Sequence, residues 1–597
     1  MFNSNNNFHV CGEWSFLHTW DDESNFVDNP RILSFTADNI KAFFTDVRIN
    51  VFEPFGWTLK AAIVAFFRTC TFGGDNYTGV DIDPEEGIRS EWFRQITVVL
   101  HSINSMILHL VIFDLVCIFR CKEEGDSKAI LSAAITAASV STYWAIHPVN
   151  VETIGWPSAQ PYSLALMFVL LSVLAHTRAK QRGNCRPLFC ALLFFFAIMS
   201  KSAAVTAPAI IMLIDVMGSG TRPLDFREYT PSLVVVLVML VITFWANVHG
   251  SDTKSDLITL ERFGGRVLKS VQTILLYFKL FFWPENLRAH YVLEEGSFDM
   301  ETNSNLVIAC GVVCGTILPL GFVTLIILHE VLVLKKGPHD RSIPTSVTIV
   351  TISILTYLAL FLPTCGIVQH GMVQMGGDRY AYIPYLGLCG LLAGAIDCFL
   401  GFVFSIHHRT HRAMLLVAFS SSMMCIFVSF YLCSQKQLCT WCDDESMFRN
   451  NLAIDGNDWR MVDTYAEWLY KTEGLSPRAI TFLRKSLEVL PRRNVKGMLT
   501  RAKTHVLLGE GNSACDMYIS WWNDDANDVD RTFPLLINNV AICNLRNVDA
   551  KAVSMSLLED AMEKVENPIH LEQIKDNYKM LEEWRPEQGN YGGSLMF

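Results

Sequence analysis

The chain has 597 residues, 51% hydrophobic and only 18% charged, with 39 Phe and a formal net charge of −11. Long apolar runs with so little charge between them exclude an ordinary soluble enzyme and indicate a polytopic membrane protein. The acidic balance and the lack of a basic stripe exclude nucleic acid as a partner.

Residues 1–94 are mostly polar and contain Asp21-Asp22-Glu23 and Asp28-Asn29-Pro30. No apolar run precedes Asp21, so neither a signal peptide nor a first span is expected there, and a lumenal N-terminus needs either the following spans to carry it over or a helix missing upstream. Residues 57–73 are apolar but short and carry Lys60 and Arg68, which fits an interfacial helix better than a span. Asn76-Tyr77-Thr78 is a glycosylation sequon and points weakly to a lumenal side.

Candidate spans follow at about 95–119, 128–147, 159–177, 187–217, 231–249, 266–284, 304–334, 345–364, 383–405 and 414–433. Basic residues gather in alternate connections, at Arg178–Arg182, Lys335-Lys336 and His407–Arg412. The positive-inside rule makes those loops cytoplasmic. The loops at 148–158, 285–303 and 365–382 then share the outer side with residues 1–94 and with everything after 433. The run 187–217 is too long for one straight span. At 1.5 Å per residue it reaches roughly 46 Å against a hydrocarbon core of about 30 Å. It holds Ser200-Lys201 at its middle and Pro208 beyond, which suggests a broken helix or short hairpin.

From about 443 the apolar residues become periodic and charge rises. Two helix pairs read out there, each with a glycine turn, Gly474 and Gly509, before its second helix (Ala479–Leu490 and Ala514–Trp522). The spacing from Ala479 to Ala514 is close to the tetratricopeptide (TPR) period of about 34 residues. A capping helix is expected near 568–585. The resulting division is an N-terminal segment 1–94, a multi-span domain 95–433, a TPR-like repeat domain 434–585 and a flexible tail 586–597.

The residues able to carry chemistry are few. Asp21 and Asp22 are adjacent carboxylates beside Trp20 and Phe26. One of them suits a general base if its surroundings raise its pKa, although the pair also reads as a solvated turn. Lys201 interrupts an apolar run, and a lysine at membrane depth needs an anion or a water-filled cavity. Arg379 lies beside Asp378 and Tyr380, where a guanidinium can grip a phosphate bidentately or anchor the interface. His147 and Glu152 stand where a hydrophobic segment ends, as functional groups or as a helix cap and a solvated loop residue. Arg94 and His101, near the first span, face a cleft or the interface.

Of 17 Cys, many lie inside apolar runs as buried thiols. Cys439-Thr440-Trp441-Cys442 leaves a local disulfide, redox activity and two thiols open. No spacing supports a metal site, and no nucleotide-binding or Gly-x-Ser-x-Gly motif is present. No pairing of broken helices suggests a transporter.

Several stretches together resemble one family. They are Trp20–Pro30, His147–Trp156, Ser200–Asp215, Asp378–Pro384 and Thr440–Phe448, in that order, leading into the repeats. The chain is similar to the transmembrane and TPR-containing protein O-mannosyltransferases and their bacterial relatives. The resemblance implies an all-α GT-C membrane domain with a lumenal TPR solenoid, in the endoplasmic reticulum membrane. It implies inverting transfer of a sugar, with mannose expected, from a dolichyl- or polyprenyl-phosphate carrier to Ser or Thr hydroxyls of lumenal proteins, without a cofactor. One of Asp21 and Asp22 would be the base. Lys201, Arg379 and His147 would bind the carrier phosphate, Glu152, Asp378 and Tyr380 would shape the cleft, and the repeats would present the acceptor polypeptide. The chain departs from the family in having Gln160 and Tyr162 where an Arg and an Asp are usual, and in lacking the proline of Arg94-Gln95-Ile96-Thr97. A non-catalytic membrane TPR scaffold that keeps the GT-C fold is the alternative.

Overall fold

The computed structural model describes residues 14–47, 51–72, 88–120, 127–218, 225–249, 263–292, 345–366, 376–490, 495–524, 533–545, 550–565 and 568–584. The described residues are all-helical. They form two compact units that divide between Asn450 and Asn451. The expected span at 304–334, the sequon residue Asn76 and the tail lie outside the described residues.

The first unit opens with α1 (Ala37–Thr45) and α2 (Pro54–Phe72). The apolar runs then become α3 (Ser90–Arg120), α4 (Ser127–Ala145), the short α5 (Val151–Gly155) and α6 (Gln160–Gln181). After them come α7 (Pro187–Ser200), α8 (Ala209–Gly218), α9 (Thr230–His249), α10 (Phe263–Phe282), α11 (Thr345–Phe361), α12 (Tyr385–Ser405) and α13 (Arg409–Leu438). Four helical stretches are long and apolar enough to cross a membrane: Ser90–Ile118, Pro157–Gln181, Tyr385–Ser405 and Arg409–Trp441. The pair Ser127–Ala145 and Pro148–Gly155, bent by 48°, makes a fifth if taken as one span.

Local chemistry explains the helix ends. Pro161 occupies the first turn of α6, where its missing N–H costs nothing, and Arg178 and Lys180 fill the last turn, where they favour the helix dipole. The helix is about 33 Å long, so it separates a neutral end from a basic end by one bilayer thickness. The run 187–217 is broken, as its length demands. Lys201 leaves α7 with extended backbone (φ −152°, ψ 121°), and a short turn at Ser202–Ala204 precedes α8.

α3 packs against α4 and α6, α6 against α7, and α11 against α12. Polar pairs pin these contacts, each to a largely buried carboxylate that would be costly alone. Ser132 donates to Asp397 between α4 and α12 (2.8 Å). Arg178 donates to Asp114 between α6 and α3 (2.8 Å). His176 bonds Asp215 at 3.0 Å, and Tyr229 donates to the same carboxylate at 2.5 Å. The N-terminal segment has its own apolar core, in which Phe26, Ile32 and Phe43 meet Trp57, Val64, Trp92 and Phe93.

The second unit follows α14 (Asp444–Ile454), which carries the division. It consists of α15 (Trp459–Glu473), α16 (Pro477–Val489), α17 (Val495–Leu507), α18 (Gly511–Asn523), α19 (Pro534–Asn544), α20 (Lys551–Lys564) and α21 (Pro568–Glu583), each packed against the next. Gly474 (φ 65°) and Gly509 (φ 77°) end α15 and terminate the turn after α17 in a backbone region that other residues rarely adopt. Asp458 and Ser476 cap α15 and α16 by accepting from Met461 and Ala479 backbone N–H groups. A disulfide joins Cys515 of α18 to Cys543 of α19. Replacing both cysteines with serine opens a link across 28 residues of sequence. It is expected to cost this unit about 3 kcal/mol, measured by pulse proteolysis of the full chain in a urea series and read on fragments from 451–584.

Candidate functional site

One guanidinium gathers the segments that build the site. Arg94, one turn into α3, donates to the Gly155 carbonyl (2.6 Å), the Ser15 carbonyl (2.8 Å), the Trp441 carbonyl (3.1 Å) and the Ser90 hydroxyl (2.5 Å). The N-terminal segment, α5 and the turn after α13 therefore meet at one end of the bundle. Trp156 stacks on Trp441, with ring centroids 5.8 Å apart. Gly155 lets the two chains approach, because a Cβ there would lie 3.2 Å from Trp441 Cβ. The backbone of Ser15 donates to the Cys442 carbonyl at 3.0 Å, and Asp444 accepts from the backbone of His18 (3.0 Å) and Thr19 (3.1 Å). Asn450 donates to the Leu287 carbonyl at 3.0 Å. All the connections read from charge alone as outer loops, so far as they are described, converge here.

The aspartate pair splits into two environments. Asp22 is fully buried. It accepts from Leu17 N–H (3.0 Å), Ser158 N–H (3.1 Å) and the Ser158 hydroxyl, which ties the loop to the start of α6. Burial pushes its carboxyl up to about 6, against the lowering effect of these bonds and of Arg94 and Lys60. Asp21 is exposed, and its charge is felt by both Lys60 and Arg379.

Arg379 and Glu152 form a buried pair. The guanidinium donates to Glu152 Oε1 (2.5 Å), and the Arg379 backbone N–H donates to Oε2 (2.9 Å). The same guanidinium lies over Trp156 at 4.9 Å and Tyr380 at 4.7 Å. Asp378 accepts from the Tyr291 hydroxyl at 2.6 Å, while its other oxygen is buried with no hydrogen-bond partner among the described residues. Burial, and then the Glu152 charge, raise its carboxyl well above the usual range. Gly377 allows this arrangement, because the Tyr277 hydroxyl donates to its carbonyl at 2.5 Å and a Cβ would lie 3.0 Å from Glu152 Oε1.

Lys201, at the break after α7, forms an ion pair with Glu53, and its Nζ sits 4.9 Å from the Tyr162 ring. Lys60 of α2 is buried beside it. Its Nζ donates to Asn25 Oδ1 (3.3 Å) and rests over Trp57 at 4.0 Å. Asn25 in turn donates to Ser158 at 2.7 Å, which links Lys60 to the Asp22 bonds. Burial lowers the Lys60 ammonium to about 7, with Glu53, Asp22 and Asp21 opposing the drop and Lys201 adding to it.

His147 stands apart from this cluster. Its Nε2–H donates to the Phe281 carbonyl (3.0 Å) and its Nδ1 accepts from Val149 N–H (3.3 Å). Both ring nitrogens hold backbone, and the residue caps the turn Pro148–Asn150. His101 is also engaged: Nε2–H donates to the Ala145 carbonyl (2.9 Å), so Nδ1 accepts from Tyr382 (2.8 Å). In the Cys-x-x-Cys stretch, Cys442 is disulfide-bonded, whereas Cys439 keeps its thiol, directed at the Gln435 carbonyl. The two do not form a local bond.

Thus Asp21, Asp22, Lys201, Arg379, Glu152, Asp378 and Tyr380 come together, and the sequence reading missed Glu53, Lys60 and Tyr162 as members. A cavity of about 520 Å³, lined by Trp14, His18, Val27, Arg89 and Glu91 among others, lies along the N-terminal segment; the charged cluster does not line it. No family model, curated protein or solved structure matches the chain.

Two outcomes follow. Asp22 holds its proton more tightly folded than unfolded, so the stability it contributes is full below about pH 4 and lost as pH rises through about 6. Asp22→Asn is expected to flatten that fall, which is worth about 3 kcal/mol; melting temperatures of parent and variant across pH 4–7 measure it. Gly377→Ala drives a methyl group into the Arg379–Glu152 pair and is expected to cost about 3 kcal/mol, seen as a lower melting temperature at pH 7.

Proposed function

We propose that the chain is a multi-pass membrane glycosyltransferase of the GT-C type, which moves a sugar from a dolichyl- or polyprenyl-phosphate carrier to Ser or Thr hydroxyls on the lumenal side. The observation that carries this reading is the meeting of an exposed aspartate with lysine and arginine side chains at the mouth of an apolar helical bundle. Sugar transfer from a phosphate carrier needs a base for the acceptor hydroxyl and cations for the departing phosphate.

Asp21 is the residue suited to be the base. Its carboxylate faces outward, whereas both oxygens of Asp22 are committed to Leu17 and Ser158. Asp22 then sets the position of its neighbour. Lys201 supplies the cation for the phosphate, with Arg379 close to Asp21 and held rigid by Glu152 and the two aromatic faces. Mannose as the sugar and the endoplasmic reticulum as the site rest on the motif resemblance. The Cys515–Cys543 disulfide adds support, because such bonds persist in oxidising compartments. In this reading the second unit is a lumenal TPR-like solenoid that presents the acceptor polypeptide.

One observation favours the scaffold alternative. Each of the two cations assigned to the carrier phosphate is already paired with a carboxylate, Lys201 with Glu53 and Arg379 with Glu152. Transfer of labelled mannose from dolichyl-phosphate mannose to protein, in microsomes expressing the chain, separates the two. Asp21→Asn is expected to reduce transfer at least about 100-fold with membrane insertion intact, and Asp22→Asn to reduce it less. Equal transfer by parent and Asp21→Asn removes the base assignment. No transfer by a properly inserted parent from mannosyl or glucosyl carriers leaves the scaffold.

A further inference from the structure

We propose that Glu53 is a resting counter-ion closing an anion site built by Lys201 and Lys60, and that a phosphate-bearing ligand opens the site by taking the place of the Glu53 carboxylate. This rests on the lipid-phosphate reading above for the identity of the ligand.

The geometry is specific. Glu53 and Lys60 are seven residues apart at the start of α2, two helical turns, so both lie on the face turned to α7. Lys201 reaches the same point from the break after α7, where extended backbone replaces the helix. Gly56 lets the elements approach, since a Cβ there would lie 3.2 Å from Pro161 Cγ and 3.4 Å from the Ser200 carbonyl. The Lys201 and Glu53 side chains are 19% and 6% exposed, and Lys60 is 2% exposed. Two ammonium groups thus share one close carboxylate in a site almost shut off from water.

Charge is out of proportion there. Glu53 pairs directly with Lys201, while among the described residues Lys60 touches the Asn25 amide oxygen and the Trp57 and Phe26 ring faces and feels Glu53 first, then Asp22 and Asp21, only through space. Its ammonium is correspondingly easy to deprotonate. A phosphate group has the opposite character to Glu53. It brings up to two negative charges and several acceptor oxygens, enough for both lysines at once. Trp57, one turn after Glu53, has a buried indole N–H with no hydrogen-bond partner among the described residues. The site therefore holds more positive charge and donor capacity than its resident carboxylate uses.

A structural ion pair and a displaceable counter-ion respond oppositely to the loss of Glu53. Removing one partner of a structural pair strands Lys201 and weakens the fold. Removing a competitor raises affinity for the incoming anion, by about tenfold if the open form is about one-tenth of the resting population. Lys60 also gains a proton when an anion arrives, so binding near pH 7–8 takes up protons from the buffer.

The test is binding to the purified full chain in nanodiscs. The ligands are polyprenyl phosphate, polyprenol and inorganic phosphate, and the proteins are the parent, Glu53→Gln, Glu53→Asp and Lys60→Met. The expected result is polyprenyl phosphate bound about tenfold more tightly by Glu53→Gln than by the parent, with Glu53→Asp close to the parent and polyprenol unaffected. Calorimetry in two buffers of different ionisation enthalpy should show proton uptake by the parent that Lys60→Met lacks. Should Glu53→Gln fail to fold, that uptake and its loss decide the matter. A gain with inorganic phosphate equal to that with the lipid keeps the counter-ion role and makes free phosphate the ligand. Parent binding that Glu53→Gln matches or weakens overturns the counter-ion while leaving the lipid-phosphate reading. No binding by either overturns both.

Discussion

The Arg94 guanidinium is the constraint on which the outer end of the first unit depends. A buried arginine must be satisfied at several donors at once, because none can be left facing apolar surroundings. Here the requirement is met mainly by main-chain carbonyls from three distant parts of the sequence, Ser15, Gly155 and Trp441. Main-chain acceptors cannot rotate away as side chains do. The guanidinium therefore fixes backbone against backbone, and the N-terminal loop, the α5 turn and the exit from α13 become one rigid piece. Everything chemical at this end hangs from that piece: Asp22 through Ser158, Arg379 through Glu152 and Trp156.

A second theme is the reuse of backbone irregularity. Helices in an apolar setting satisfy their own polar groups, so a break is affordable only where other groups compensate. The two breaks near the site fall after α4 and after α7. The first is closed by His147, which caps the following turn and donates to Phe281. The second delivers Lys201 with its Nζ directed at Glu53 and Tyr162. The same kind of interruption thus makes a structural joint at one place and a charged site at the other. The difference is whether the side chain at the break is neutral and backbone-bound or cationic and paired with a carboxylate.

Much of this was visible in the residues. The excess length of 187–217 against a bilayer required a break, and Lys201 marked its place. Loop charge alone grouped the connections that Arg94 brings together. The glycine turns at Gly474 and Gly509 announced the second helix of each pair, which the structure places at Pro477–Val489 and Gly511–Asn523. Other features left no local trace. Lys60 looked like one charged residue on a short apolar helix, and Glu53 drew no notice, because their importance comes from Lys201, some 140 residues further on. Asp21 and Asp22 are indistinguishable as a dipeptide and are separated only by what the Leu17 and Ser158 backbones do. The Cys-x-x-Cys spacing left a local disulfide open, and Cys442 bonds elsewhere while Cys439 keeps its thiol, because pairing follows the meeting of segments and not their spacing.

The stretch Arg409–Trp441 is 33 residues long and only 6% buried in its apolar window. As one helix it measures about 50 Å, while the hydrocarbon layer takes about 30 Å. With Arg409 and Arg412 held at one headgroup layer, the last three turns rise out of the lipid tails on the other side and carry Trp441 roughly 10–15 Å above them. The helix is a ruler. For the proposed transferase it would fix the height of Asp21 and Lys201 within the headgroup layer, where a carrier could keep its chain in oil and its phosphate in water. In that proposal a hydroxyl reaching that height would have to travel on a polypeptide able to lie flat along the membrane, which extended or not yet folded segments would do more readily than compact domains. The length of one apolar helix would thus select acceptors by their state of folding, before any side chain reads their sequence.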